Sequence, residues 1–190
     1  SVRRIVRKYK LQNIRLYGKK YWAKNNPRRP TVNAPGELVE VDTVFLMNHF
    51  GGQNLYITNV IDIYTRMTHS RVDYAYNQTS TAQTVLEAQK MFNFKFKMVQ
   101  CDNGREFGER FKMLLDKNDI QIRHTRVRRP NDNAHIERFN RTMRDELIGP
   151  YTGRDLKEIS KSIREYLVYY NYARIHTTLR MTPIQMLQSC

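Results

Sequence analysis

Cysteine is scarce in this chain of 190 residues: Cys101 falls inside an apolar run, Cys190 ends the sequence, and no CxxC spacing or His/Cys cluster occurs. That excludes a disulfide framework and a structural zinc site, and it points to a reducing compartment. Also lacking are a run of about 18 apolar residues, a signal peptide and a prenylation-type ending, so a membrane is excluded as partner. Acidic residues are missing from residues 1–35, which hold eleven Lys and Arg and no Asp or Glu. The rest of the chain carries twenty-two basic against eighteen acidic side chains, so most of the imbalance belongs to one segment.

A formal charge of +15 with a pI near 10.0 opposes compaction, because like charges repel, and a polyanionic partner is what balances it. Arg3, Arg4, Arg7 and Lys8 therefore lead an expected nucleic-acid-binding arm; keeping a tail in solution is the plainer use of the same charges. Tyr9, Tyr17, Tyr21 and Trp22 interleave with them and either stack on bases or pack on the domain. Asn26, Pro27, Pro30, Pro35 and Gly36 break regular structure. Residues 1–36 thus read as basic arm and linker, and residues 37–190 as one domain large enough for a real core. Because the sequence opens on Ser1 rather than Met, a fragment or processed product is expected.

Three β-prone runs, Leu38 to Met47, Leu55 to Ile63 and Met67 to Ala75, are joined by short turns and predict an antiparallel meander. Ser80 with Gln83 predicts a capping box for a helix to about Asn93, followed by a strand from Lys95 to Cys101. Phe107, Phe111, Leu114 and Leu115 have the spacing of a helix with one buried face, and Ile120 to His124 predicts a fifth strand. From Thr125 to Asn133 only Val127 is apolar, which predicts a mobile loop. Ile136, Phe139, Met143 and Leu147 then mark a helix capped by Asn131, Asp132 or Asn133. Thr152 and Asp155 cap another, with Leu156, Ile159, Ile163, Leu167 and Tyr170 as its buried stripe, and Thr182-Pro183 opens a last short helix.

Phosphodiester transfer needs an attacking oxygen made nucleophilic and a leaving oxygen stabilised, which two divalent cations about 4 Å apart achieve when carboxylates hold them. Mg²⁺ prefers hard oxygen ligands and keeps several waters, so two or three acids suffice. Asp42 interrupts a strand of Val39, Val41, Val44 and Phe45, where a buried carboxylate is costly without a cation; strand alternation equally allows Glu40 and Asp42 to share a solvent face. Asp102 follows an apolar strand directly, where α/β folds place functional groups, although Asp-Asn-Gly is also an ordinary turn. Glu137 sits at the rim of an apolar helix face, and an i,i+4 ion pair with Arg141 is its plain alternative.

These acids lie in short strings that resemble a known family in order and content. The strings are Val39-Glu40-Val41-Asp42-Thr43, then Val60 through Arg66, then Cys101-Asp102-Asn103-Gly104-Arg105-Glu106-Phe107. Arg129-Pro130 and Asn133 through Asn140 follow, and Tyr170-Asn171, His176, Leu179 and Thr182-Pro183 end the series. The region from about Glu37 to Leu187 resembles the catalytic core of retroviral integrases and, more closely, of bacterial insertion-sequence transposases.

The resemblance implies an α/β domain of the RNase H-like fold, a mixed five-stranded sheet flanked by helices. It implies catalytic and metal-binding roles for Asp42, Asp102 and Glu137, with two Mg²⁺ or Mn²⁺ ions, Asp42 touching both. The implied reaction is hydrolytic nicking at element ends and attack of the freed 3′-hydroxyl on target DNA. A homodimer or higher oligomer on DNA is implied, with no small-molecule substrate, in a bacterial cytoplasm or nucleoid, or in a nucleus for a eukaryotic element. Arg126, Arg128, Arg129, Arg138 and Arg141 are expected to meet phosphates; Asp62 and Arg66 are expected beside the site or merely to pin a turn, Asn103 to support the site, and Glu106 to back the site as a further acid or to be a plain charge at a helix N-terminus. His124 and His135 need be no more than polar surface. The chain departs from the family in two places: 34 residues separate Asp102 from Glu137, one fewer than in retroviral integrases, and Ala134 stands where glycine is frequent. The zinc module of retroviral integrases is not in these residues, so end recognition is expected elsewhere. A nuclease without strand transfer and a transposase-derived DNA-binding protein are the alternatives.

Overall fold

The computed structural model describes residues 29–50, 53–74, 76–126, 130–150 and 156–190. The arm residues Arg3, Arg4, Arg7 and Lys8 with their interleaved aromatics, the loop residues Arg128 and Arg129, and the Thr152/Asp155 cap lie outside them.

Alternating β-branched and polar residues build β1 (Val39–Phe50), β2 (Gln53–Asp62) and β3 (Thr68–Asp73) into the expected antiparallel meander. The turn from β2 to β3 is organised by Asp62, whose buried carboxylate accepts from the Thr65 amide and hydroxyl, both at 2.7 Å, and from the Gly36 amide at 2.9 Å. Gly36 itself has φ +75°, and a side chain there would strike the Lys95 carbonyl, so only glycine fits.

Helix α1 (Gln78–Phe92) starts before the expected Ser80 cap. Asn77, with extended backbone, accepts from the Ser80 amide at 2.9 Å, and Ser80 instead donates its hydroxyl to Asp73 at 2.6 Å. An asparagine three residues ahead satisfied the orphan amide first. Strand β4 (Met98–Cys101) is shorter than expected, because Phe92, Phe94 and Phe96 pack ring against ring within 5.8 Å and turn the chain inward before pairing begins. A 3₁₀ turn at Arg105–Phe107 leads to α2 (Glu109–Asp116), and β5 (Gln121–His124) completes the sheet. Then come α3 (Ala134–Met143), α4 (Leu156–Val168) and α5 (Pro183–Gln188); Thr182 and Gln185 form a reciprocal capping box on the last.

Five strands in the order β3-β2-β1-β4-β5, with β4 parallel to both neighbours, make a mixed sheet. One face packs Val39, Val41, Val60, Val99 and Cys101 against Val85, Ala88, Phe107 and Phe111 of the α1 and α2 side. The other packs Ile57 and Ile61 against Ile136, Phe139 and Met143 of α3 and Ile159, Ile163 and Leu167 of α4. Asn171, just past α4, locks this layer to β3 by accepting from the Thr68 amide at 2.9 Å and donating to its carbonyl at 2.8 Å. Each sheet face therefore has its own core, and β1, with a neighbour on both sides, is buried between them.

Candidate active site

Strand alternation puts Val39 and Val41 into the α1 side of the sheet and turns Glu40 and Asp42 toward α3. The parallel ladder sets Val39 opposite Val99 and Glu40 opposite Gln100; carried two residues on, it brings Asp42 beside Asp102 just past the end of β4. Asp42 Oδ1 accepts from the Thr43 amide at 2.9 Å, and Oδ2 from Asn140 Nδ2 on α3 at 2.7 Å. Asn140 is held in turn by Asn59 Nδ2 at 2.8 Å. Burial pushes the Asp42 carboxyl up to about 6, with repulsion from Asp102 adding to it. Among the described residues no Lys or Arg pairs with either aspartate.

Asp102 is exposed, and its Oδ1 accepts from the Gly104 amide at 2.7 Å, the ordinary Asp-Asn-Gly turn. Asn103 is likewise exposed in that turn. The Asp102 carbonyl accepts from His124 Nδ1 at 2.8 Å, so His124 is more than polar surface: it ties the end of β5 to the acid-bearing end of β4. Gly104 leaves room for two carboxylates. A methyl there would lie 2.9 Å from Asp102 Oδ1 and would collide with Glu106. Glu106 is only 5% exposed and accepts from the Tyr76 hydroxyl, whose own pKa is raised by burial and by this carboxylate. Glu106 therefore stands with the two aspartates rather than serving as a solvated helix-end charge. Nothing in the local sequence marks Tyr76, which arrives from the β3–α1 junction.

Glu137 lies in the first turn of α3 and is exposed, three residues before Asn140. It makes no ion pair with Arg141 among the described residues. Arg138 and Arg141 are exposed on the same helix. Asn133, the residue at the N-cap, makes no side-chain capping bond, and the Asp132 carboxylate is engaged by Arg123 and Arg126; the side chain of Asn131 lies outside the described residues. Glu40 does this work, accepting from the amides of His135 at 3.1 Å and Ile136 at 2.8 Å. Burial pushes the Glu40 carboxyl up to about 7 against the pull of Arg29. His135, expected at the surface, is half-buried with its pKa down at about 3, from burial and from Arg66, Arg29 and Arg138.

At its described ends, the segment expected to be a mobile loop has anchoring contacts. Pro130–Asn133 is a 3₁₀ turn, and Asp132, 2% exposed, accepts from Arg126 Nη2 at 2.8 Å and Nε at 3.0 Å and from Arg123 Nη2 at 3.1 Å. A buried carboxylate replaces the missing apolar anchor, and it ties Arg126 down. Arg66 takes φ 66° in the turn after Asp62, where Glu40 and Asp62 are its nearest opposing charges.

The structure thus brings Asp42, Asp102 and Glu106 to one place and leaves Glu137 a helical turn from Asn140. Among the described residues no three Asp, Glu, His or Cys side chains close into a ready metal-binding group. Two adjacent aspartates with hard oxygens, mutual repulsion and no counter-cation suit a divalent ion such as Mg²⁺.

Residues 32–130 and 118–183 each match the family described as "Integrase core domain". The InsK protein of insertion sequence element IS150 from Escherichia coli, described as a transposase, is 26% identical over 153 residues, which is 75% of this chain and 51% of InsK. The 31.7 kDa protein of insertion element IS407 from Burkholderia multivorans is 27% identical over 152 residues, 77% of this chain and 53% of that protein. The chain spans about half the length of these relatives. Among solved structures, the HTLV-2 integrase catalytic core domain in complex with magnesium superposes with TM-score 0.66 at 13% identity, covering 82% of this chain and 99% of that one. A simian T-cell lymphotropic virus intasome chain gives 0.73 at 12% identity, covering 87% and 59%. These likenesses give the RNase H-like fold that the sheet order describes. No helix among the described residues is long and apolar enough to cross a membrane.

Proposed function

This chain belongs to the integrase core domain family, and from that premise we propose that it is the catalytic part of a DNA transposase or integrase. It nicks element ends and joins the freed 3′-hydroxyl to target DNA. The observation that carries the reading is the pair Asp42 and Asp102, set side by side by the β1–β4 ladder without a counter-cation among the described residues. Asp42, Asp102 and Glu137 are the residues that would hold two Mg²⁺ or Mn²⁺ ions, which when bound activate the attacking oxygen and stabilise the leaving one.

The chain's own groups prepare this. The Thr43 amide and Asn140 fix the two Asp42 oxygens, and the Gly104 amide fixes one oxygen of Asp102 and leaves the other free. His124 holds the backbone beneath Asp102. Glu137, exposed and without an ion pair among the described residues, can turn toward Asp42 from the helix whose Asn140 already touches it. Arg138 and Arg141 on that helix, with Arg128 and Arg129 before it and the basic residues of the arm, neutralise phosphates and so hold the strand. Arg126 contributes less, being engaged by Asp132. Assembly as a dimer or larger complex on DNA accords with the relatives solved in dimeric and trimeric forms and in an intasome.

The test is a nicked-end DNA substrate with Mg²⁺, wild type beside Asp102→Asn. Joined product from wild type and none from the variant supports the proposal. Cleavage without joining would assign the chain to hydrolytic nucleases instead, and equal activity of both proteins would remove the aspartates from the chemistry.

A further inference from the structure

Below the aspartates lies a second cross-strand row. Glu40, Gln100 and Arg123 sit directly opposite one another on β1, β4 and β5, and none is more than 5% exposed. Burying such groups is costly unless each is paired, and here the pairing forms a continuous chain. Arg29 Nη2 donates to Glu40 Oε1 at 2.6 Å and Gln100 Nε2 to the same oxygen at 3.3 Å; Arg123 donates to Gln100 and, at 3.1 Å, to Asp132. Gln100 also reaches the Asp132 carbonyl. The other Glu40 oxygen takes the amides of His135 and Ile136, a charge-assisted contact that the positive end of α3 favours.

Helix α3 is therefore tied to β1 at two points, Glu40 at residues 135 and 136 and Asp42 at Asn140. From Ile136 to Asn140 the helix rises roughly 6 Å, and from Glu40 to Asp42 the strand advances about 6.7 Å. The two spacings match, so a shift of α3 by one turn, about 5.4 Å, would break both ties together. Glu137 lies between the tied points, roughly 60° around the helix from Asn140, so its side chain leaves the helix on the Asp42 side.

We infer that Glu40 is the positioning residue of this site: its carboxyl group sets the axial and rotational register of α3 and so the place of Glu137, with Arg29 as the partner that fixes its other oxygen. The inference rests on the reading of Glu137 as a metal ligand. Arg29 precedes β1, so the segment entering the domain and the helix bearing Glu137 meet on one buried carboxyl group, that of Glu40.

The experiment uses the full chain with Glu40→Gln, which keeps the shape and removes the charge. Hydrogen exchange at the His135 and Ile136 amides is measured without metal, and the Mg²⁺ concentration for half-maximal joining is measured on saturating nicked-end DNA, with Mn²⁺ in parallel. Expected are faster exchange at both amides, a metal requirement raised ~10–100-fold as for other residues that orient metal ligands, a DNA KM within about twofold of wild type on the same principle, and partial recovery in Mn²⁺. Arg29→Gln should move the same readouts less, and the double variant should be no worse than Glu40→Gln alone. Unchanged exchange overturns the inference. So does faster exchange with a wild-type metal requirement and Mn²⁺/Mg²⁺ ratio, the signature of a residue that only stabilises the fold. Should Glu40→Gln fail to fold, Arg29→Gln carries the same decision. If wild type joins no DNA, the metal requirement is read from the Mg²⁺-induced thermal shift: the same rise then supports the positioning role while the proposed function falls.

Discussion

Replacing Asp102 with Asn should make the metal-free protein more stable while abolishing its response to Mg²⁺. Burial and then Asp102 push the Asp42 carboxyl from 3.8 up to about 6, a displacement of roughly 3 kcal/mol at 1.36 kcal/mol per pH unit. The folded pKa lies above the unfolded one, so the favourable protonated state is fully available below pH 4 and is lost as pH rises through about 6. Above that pH the metal-free fold carries two adjacent carboxylates. Removing one leaves the burial cost but relieves the repulsion, which at an effective dielectric of about 20 is on the order of 1–3 kcal/mol for charges several ångströms apart. For a chain of this size each kcal/mol raises Tm by about 2–4 °C. Thermal melts at pH 5 and pH 7.5, with and without Mg²⁺, test this. Wild type should gain Tm from Mg²⁺ mainly at pH 7.5, where Asp42 is ionised. The variant should start higher at pH 7.5 and gain almost nothing. An unchanged metal-free Tm together with an intact Mg²⁺ response would mean that Asp102 does not bear on the Asp42 carboxylate at all.

Three further changes separate an acid proposed to act in the site from residues that hold the fold. Glu137→Gln, at an exposed helical position, should move Tm by no more than about 1–2 °C and lower DNA cleavage by at least ~100-fold; a variant keeping half of wild-type activity would take Glu137 out of the site. Asp132→Asn leaves Arg123 buried without its carboxylate and should cost about 3 kcal/mol at pH 7 by urea unfolding. Because Arg126 and Arg123 hold the Asp132 carboxyl below the usual range, this stabilisation is present above the unfolded pKa and fades as pH falls through the folded one; an equal gap between wild type and variant at pH 7 and pH 3 would refute the assignment. Gly36→Ala should destabilise by ~1–3 kcal/mol from its φ of +75° and the Lys95 carbonyl, and a neutral result would show that the β1 entry relaxes freely.

What was legible in the sequence is what local pattern encodes. The meander, the five strands and the helical stripes follow from alternation and from spacings of three and four residues, and each appeared within a few positions of its expected place. The ends missed are those where a side chain chose between partners, as when Asn77 rather than Ser80 capped α1 or three phenylalanines delayed β4. Asp42 and Asp102 stood out in advance as candidates, because a carboxylate in a valine-rich strand is costly without a reason and a strand end is where α/β folds place functional groups. Tyr76, the part of Glu106 beside it and the hold of His124 on Asp102 could not, since they depend on contacts across twenty or more positions. Asp132 was hidden for the same reason: in a segment without apolar residues, one buried acid between two arginines anchors as a hydrophobic side chain would.

Glu40 shows most directly why the rest was out of reach. Two acids two residues apart on a strand share a face whatever the fold, and the simplest expectation for that face is water. In this protein it is covered by α3, and the helix is oriented so that its unsatisfied amides, rather than apolar side chains, meet the buried carboxylate. The acid thus becomes tolerable through the helix laid over it, and the helix start becomes tolerable through the acid. Neither partner signals this alone: Glu40 has no unusual neighbour in sequence, and Asp132 and Asn133 are good capping residues that go unused for the purpose. The pairing is written only in the parallel register of β1 with β4, sixty residues apart, and in the passage of the chain back over the sheet. An acid at this position is therefore required by the helix it supports, and replacing it with an apolar residue of equal size should leave the strand in place while loosening the start of α3.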